Sequence, residues 1–282
     1  MSNVGVTLVV TTKNSEATLR PCLESIRNQT MACTLVVVDN DSSDATPEIA
    51  AQFADIVLNL GPERSAQRNA GAATSNNHVV GFIDSDMVLD PTVVAEAVSA
   101  VDHGAMSVVV PETTVGEGYW ARVSAFERSF YLNSPSIEAP RFFSRSAFEL
   151  IGGFDEAMTG AEDWDLGLRT VELGPRVRTV ATITHDEGRV RYFNSCAKKA
   201  YYAPGLMVFA KKHGRQAFKD VATRQWLRDP RKLLHPLGPG LLLLKLGQGV
   251  AMTGAIVGST VGLRSALPRR PTAKTGRSRF RQ

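Results

Sequence analysis

Cysteine is scarce in this 282-residue chain: Cys22, Cys33 and Cys196 are an odd number with no Cys-x-x-Cys pair. Neither a disulfide framework nor a cysteine zinc site is indicated, and a reducing compartment fits. Met1 to Val10 holds no Lys or Arg, and the chain turns polar at Thr11. A secretory signal needs a charged start, an apolar centre and a small-residue cleavage site, so the N-terminal part is expected to stay cytosolic. No Gly-x-Gly-x-x-Gly follows either of the first two apolar runs. That disfavours a dinucleotide-binding domain, whose pyrophosphate rests on a glycine-rich turn at a helix start. From Arg264 to Gln282 there is no acidic residue and seven are basic, so the net charge of +4 belongs to that tail and the remainder is net acidic. The tail has one aromatic, Phe280, and therefore no stacking platform; nucleic acid is not an expected partner. What remains is ordinary globular composition, 43% hydrophobic and 21% charged, long enough to bury a core without staples.

Up to about residue 110, short β-branched runs alternate with helical periods, the pattern of βαβ units in an α/β fold with a Rossmann-like, mostly parallel sheet flanked by helices. Strands are expected at Val6 to Val10, Leu35 to Val38, Ile56 to Leu58, Val79 to Ile83 and Ser107 to Val110. Leu19, Cys22, Leu23 and Ile26 fall on one helical face; Thr46 with Pro47 reads as an N-cap, and Asp90 with Pro91 as another. Further helices are expected at Arg64 to Thr74, around Trp120 to Phe130 and from Asp163 to Leu173, with a strand near Val177 to Ile183.

The C-terminal stretch differs in kind. Leu237 to Leu263 carries one charge, Lys245, and from Leu246 onward it has none, a length just sufficient to cross a membrane. Five glycines dilute its apolarity, and Arg228, Arg231 and Lys232 before it and Arg264, Arg269 and Arg270 after it give both flanks a positive charge. A single span would place one basic cluster outside, against the positive-inside bias, whereas an interfacial or re-entrant segment on anionic lipid avoids that conflict. A helix buried against the domain is the alternative. The expected organisation is a domain over residues 1–225, a linker and apolar helical extension over 226–263, and a basic, disordered tail over 264–282.

Asp84-Ser85-Asp86 follows the fourth apolar run, at the carboxyl end of a strand, where open parallel sheets bind ligands. Alternation points both carboxylates to one side, which suits a hard divalent cation shared with substrate phosphates, although Asp and Ser also build plain turns. Asp39-Asn40-Asp41-Ser42-Ser43-Asp44 puts a second polar loop at the same edge, either to bind a base or ribose or to form an Asx turn. Without a glycine-rich loop, a diphosphate would have to meet a metal and side chains such as Arg64 and Arg68. Glu162-Asp163-Trp164-Asp165 opens a helix; acids there favour the dipole, while Trp164 can desolvate a carboxylate or face a sugar ring. His185 is either a metal ligand or structural.

These segments, in this order, resemble the family-two glycosyltransferases of GT-A fold over about residues 6 to 190. The markers are Val9 to Asn14, Val37 to Asp44, Arg68-Asn69-Ala70-Gly71, Asp84-Ser85-Asp86, Gly152 to Glu156, and Glu162 to Leu166 with Arg169; Gln67 departs from the small residue common there. The resemblance implies that Thr11, Thr12 and Asn14 hold the nucleoside of a nucleoside-diphosphate sugar, and that Asp39 reads its base. Arg68 would lie near ribose or diphosphate, and Asp84 near ribose or metal. Asp86 would ligate manganese or magnesium, with His185 as a further ligand. Asp163 would be the catalytic base, with Glu162 supporting it.

The chemistry needs these types: a cation offsets charge developing on the departing diphosphate, and a carboxylate takes the acceptor hydroxyl's proton. One base opposite the leaving group predicts inversion. The expected acceptor is a hydroxyl of a cell-envelope or lipid-linked glycan, at the cytoplasmic face of a membrane, with Val115 to Arg141 on the acceptor side. A nucleotidyltransferase and a sugar-nucleotide-binding protein without turnover are the alternatives.

Overall fold

The computed structural model describes residues 5–132, 137–222 and 233–260. The basic tail 264–282 and the basic residues expected to precede the apolar extension lie outside the described residues. In chain order the elements are β1 (Val6–Thr12), α1 (Leu19–Arg27), β2 (Thr34–Asp39), α2 (Thr46–Phe53), β3 (Ile56–Asn59), α3 (Arg64–Ala72), β4 (Val79–Asp84), β5 (Met87–Leu89), α4 (Val93–Asp102) and β6 (Ser107–Val109). They continue with β7 (Glu112–Glu117), α5 (Gly118–Ser129), β8 (Phe142–Ser144), α6 (Arg145–Leu150), α7 (Glu162–Val171), β9 (Arg176–Arg178), β10 (Ile183–Arg189), α8 (Tyr192–Ala222) and α9 (Gly238–Thr260).

One sheet runs β3-β2-β1-β4-β8-β6-β9 and a small one β5-β10-β7. The large sheet is parallel except at β8, which is antiparallel to both neighbours. Its central strands are apolar on both faces, as a sheet covered by helices on each side requires. Leu8, Val10, Leu35 and Val37 pack with α1, α2 and α4; Val9, Val36, Val38 and Phe82 pack with α3, α6 and α7. Gly71 permits the close approach of α3 to β1, since an added Cβ would come within 2.4 Å of Val9 Cγ1.

Register decides which ends meet. Thr12 lies opposite Asp39 and Thr11 opposite Asp84, so the loops after β1, β2 and β4 emerge at one edge. In the small sheet His185 pairs with Met87, and the Asp186 N–H donates to the Asp86 carbonyl at 2.9 Å. That pairing carries a residue from far along the chain to the end of β4.

Several expectations shift. The strand near Val177 to Ile183 is two strands, β9 and β10, in different sheets, separated at Thr179–Ala181. Glu96 holds that break open by accepting the N–H groups of Val180 and Ala181. Thr46 is the first helical residue of α2, where Asp44 accepts its N–H and its own hydroxyl accepts the Ser15 N–H. Asp90 does not cap α4, which begins after Thr92; its carboxylate instead receives the N–H and hydroxyl of Thr182. The strands β5, β7 and β8 and the long helix α8 carried no clear sequence signal.

The apolar extension is α9, a helix whose 21-residue segment Gly238–Gly258 is long and apolar enough to cross a membrane. One face is docked: Leu241 and Leu244 pack against Val123 of α5 and Phe130 just after it, Lys245 pairs with Glu127 and Gln248 donates to Ser195 of α8. The opposite face carries Leu242, Leu243, Leu246, Val250 and Val257, all exposed.

Candidate active site

A cavity of about 770 Å³ opens at the carboxyl edge of the sheet. Thr11, Thr12, Asp84, Asp86, Glu162, Asp163, Trp164 and His185 all line it. The carboxylates of Asp86 and Asp163 thus face one cavity. Thr12 Oγ1 is buried there without a hydrogen-bond partner among the described residues, an orphan polar atom at the cavity wall.

Arg68 organises one wall from beneath. Its side chain is 1% exposed, donates 2.7 Å to Asp163 Oδ1 and 2.8 Å to Asp84 Oδ1, and stands 3.5 Å from Glu162. Its guanidinium also lies over the Phe154 ring at 5.1 Å. The fork geometry of arginine allows this three-way reach, which an ammonium lacks. The other oxygen of Asp163, Oδ2, takes no hydrogen bond among the described residues.

Local sequence explains why α7 arrives there. Asn69, next to Arg68, closes a two-way clasp on Phe154, donating 3.0 Å to its carbonyl and accepting its N–H at 2.9 Å. The turn at Gly152 and Gly153 needs φ values of 76° and 68°, which glycine adopts without strain. Arg169 of α7 donates to the carbonyls of Ile151 and Gly153 at 2.7 Å while holding Asp165, so the helix is fastened to the same turn. Asp165, fully buried, also anchors α8 through Lys212 at 2.8 Å and His213 at 2.7 Å.

Glu162 is nearly buried and accepts the Gly160 N–H. Burial and the neighbouring Asp163 charge raise its pKa, against the pull of Arg68 and Arg64. Asp84 goes the other way: burial opposes ionisation, but Arg68, Arg141 and Arg64 outweigh it and hold the carboxyl well below the usual range. Trp164 Nε1 donates 2.9 Å to the Ile137 carbonyl, which fixes the indole at the cavity wall.

At the other wall, Asp86 Oδ2 and His185 Nε2 are 3.0 Å apart. Arg128 stands 3.0 Å from His185 Nδ1, and because a guanidinium only donates, Nδ1 accepts and the ring proton sits on Nε2, facing Asp86. Among the described residues no cluster of three metal-ligating side chains occurs. One carboxylate and one imidazole nevertheless fit manganese or magnesium, hard ions that take the rest of their shell from phosphate and water.

Three of the residues singled out in the sequence stand elsewhere. Asn14 latches two loops, accepting the Ser43 N–H at 2.9 Å and donating its own N–H to Ser42 Oγ. Asp39 is buried and closes an Asx turn with Ser42, while Asn40 beside it lines the cavity. Arg68 lies under the floor, and Arg64 is the arginine of α3 that lines the cavity. Sequence reasoning missed Arg141, buried between Glu112 and Asp84, and the α8 residues Lys198, Lys199, Tyr201 and Tyr202 on the rim. They sit in stretches without a motif.

Residues 7–154 match the model of glycosyl transferase family 2. The chain belongs to that family. It is 28% identical over 234 residues to a pre-mycofactocin glycosyltransferase of Mycobacterium tuberculosis, a match covering 75% of this chain and 49% of the relative. The chain thus spans about half the length of that curated relative. The fold is shared with S. aureus TarS 1–349 in complex with UDP-GlcNAc, at a TM-score of 0.56 and 17% identity, with 92% of each chain covered. It is shared also with a mannosyltransferase of Pyrobaculum calidifontis in complex with GDP-Man and Mn²⁺, at 0.58 and 18%, covering 92% of this chain and 81% of that one. The chain therefore has the GT-A architecture expected from its motifs.

Proposed function

We propose that the enzyme moves a sugar from a nucleoside-diphosphate donor to an acceptor hydroxyl with inversion, assisted by Mn²⁺ or Mg²⁺. The observation that carries this reading is the state of Asp163: Oδ1 is held by Arg68, and Oδ2 takes no hydrogen bond among the described residues, in a cavity that also presents Asp86. The two structural neighbours in complex with sugar nucleotides, one with Mn²⁺, support the donor class and the cation.

In the proposed reaction the acceptor hydroxyl gives its proton to Asp163 Oδ2 as its oxygen bonds to the anomeric carbon. The bond from that carbon to the diphosphate oxygen breaks, and its electron pair leaves with the diphosphate. Arg68 keeps the base aimed, and Glu162 fills the space behind it. Asp86 would hold the cation, which supplies Lewis-acid stabilisation of the departing charge. His185 positions Asp86 through its Nε2 proton, and ligates only in the other tautomer, with Nδ1 released by Arg128. Thr11 and Thr12 would face the nucleoside, with the orphan Thr12 hydroxyl available to it; Asn14 and Asp39 would act by holding the loop that does so. Asp84 would orient Arg68 toward the ribose side.

We assign residues 1–225 to the catalytic domain, 226–263 to the linker and apolar extension and 264–282 to the basic tail. The outer stripe of α9, with that tail, would seat the enzyme on anionic lipid at the cytoplasmic face of a membrane. The docked face of α9, held through Lys245 and Gln248, favours lying in the interface over crossing it. An acceptor in cell-envelope or lipid-linked glycan synthesis follows from that seat.

A thermal-shift panel of nucleoside diphosphates and sugar nucleotides, with and without Mn²⁺, tests the reading, since a ligand stabilises in proportion to the logarithm of its concentration over its Kd. A Mn²⁺-dependent rise with one base is expected. No rise with any nucleotide would refute it.

A further inference from the structure

A donor diphosphate brings negative charge into a cavity that has no glycine-rich loop to receive it. The sequence left Arg64 and Arg68 as the candidates; the structure removes Arg68 from that duty and leaves Arg64 at the cavity with partners of its own. Arg68 is buried against Asp84, Asp163 and Glu162. Arg64 faces Glu162 at 3.9 Å and donates to the Tyr202 hydroxyl at 3.3 Å. The other arginines are engaged too: Arg141 with Glu112 and Asp84, Arg128 with Glu187 at 2.7 Å and Glu112 at 3.8 Å. Lys13 contacts Asn40, on the β2 loop.

Two cations of the wall have no direct partner of any kind among the described residues. Lys198 and Lys199 lie on α8, line the cavity and are exposed to its solvent, and neither forms an ion pair or hydrogen bond with any described residue. They stand within Coulombic range of each other and of Arg128; Glu127 and Glu187 act on Lys199 from a distance, but no carboxylate among the described residues pairs directly with either lysine. Arg128, which lines the same cavity, stands 3.0 Å from His185 and 2.7 Å from Glu187, and His185 is 3.0 Å from Asp86, so the cationic wall includes the Asp86–His185 end. Like charges held together raise the local potential and attract an anion. Lysine, a flexible point charge with three donors, suits phosphate that must arrive and leave.

We propose that Lys198 and Lys199, beside Arg128, form an anion subsite for a phosphate group of the substrates, carried either by the donor's diphosphate or by a phosphorylated acceptor. The inference rests on the donor-site reading above and adds residues to it. α8 thereby becomes a functional wall: one of its turns meets phosphate while the next, through Tyr202, touches the arginine beside Glu162.

The test compares wild type with Lys198→Gln/Lys199→Gln; both side chains are exposed and Glu127 keeps its direct pair with Lys245, so the unfolding midpoint should stay within about 2 °C. Three calorimetric titrations are run in Mn²⁺: UDP and GDP against uridine and guanosine; inorganic pyrophosphate alone; and inorganic phosphate onto enzyme saturated with the nucleoside diphosphate. A loss of about tenfold for the nucleoside diphosphate, with nucleoside affinity unchanged, assigns the subsite to the donor. A similar loss only for phosphate on the saturated enzyme assigns it to a phosphorylated acceptor. Unchanged affinity in all three overturns the proposal. If wild type binds no nucleotide, the donor reading fails by itself, and the pyrophosphate titration still decides the subsite.

Discussion

Replacing Arg68 by methionine tests the internal logic of the site most directly. Methionine keeps the apolar stem and the contact with Phe154, so what is lost is one buried positive charge. Three carboxylates then lose an arginine at 2.7, 2.8 and 3.5 Å, although Asp84 keeps Arg141 at 3.4 Å and Glu162 keeps Arg64 at 3.9 Å. Removing one member of a buried ion pair costs about 3–5 kcal/mol, because the remaining charge stays desolvated. Asp84 and Asp163 retain 24% and 30% exposure and can recover some hydration, whereas Glu162 at 4% cannot. The single range for one pair, about 3–5 kcal/mol, is therefore the expected loss for the whole cluster, not three times that. It is a large share of a typical total of about 5–15 kcal/mol. In a domain of this size it lowers Tm by about 6–20 °C. Urea unfolding and calorimetry measure it. Adding Asp84→Asn and Asp163→Asn to Arg68→Met should restore at least about half of the loss, because the unpaired charges go with their partner. A single variant within about 1 kcal/mol of wild type, or a triple variant weaker than the single, would refute the view that Arg68 neutralises this wall.

Four further outcomes are expected. Asp163→Asn should leave nucleotide affinity within about twofold and cut sugar transfer by about 10²-fold to 10⁴-fold, read by steady-state product formation; near-normal turnover removes it as the base. Asp86→Ala should abolish the Mn²⁺ dependence of nucleotide binding, whereas His185→Ala should only weaken it, and equal effects would mean that both are ligands. Burial opposes ionisation of Glu127, but Lys245 and Lys199 keep its pKa below the usual carboxylate value, so the stabilisation is present above about pH 4.3 and is lost as pH falls through the lower folded value. Lys245→Met should accordingly cost about 3 kcal/mol at pH 7 and progressively less below pH ~4, measured by denaturant midpoints across pH. Serine at Leu242, Leu243, Leu246 and Val250 should release the enzyme from anionic vesicles in sedimentation without lowering its Tm, since each apolar side chain contributes about 1.5–3 kcal/mol only if lipid covers it.

Much of the fold was legible because its signals are local. The β-branched runs of β1, β2 and β4, the apolar spacing of α1 and the glycines at Gly152 and Gly153 announce themselves within a few residues of chain. The acids at 84, 86, 162 and 163 were visible for the same reason: they terminate a strand or open a helix. β7 and β8 were not, since Glu112–Glu117 alternates polar and half-exposed residues and Phe142–Ser144 is three residues long. α8 carries Pro204 and a break at Gly214, where φ is 80°, and its functional side chains follow no period.

What the sequence determined by itself was therefore the kind of chemistry: a parallel sheet with carboxylates at its ligand-binding edge, in the order of glycosyl transferase family 2. What only the tertiary structure decided was which charges reach the cavity. Arg68 and Arg64 look identical in the sequence, yet one is enclosed by three acids and the other meets the cavity. Whether a guanidinium is neutralised depends on groups up to 95 residues away brought within 3 Å, as with Arg68 and Asp163. Coulomb energy falls with distance in space and is blind to distance along the chain, so no local pattern could report it.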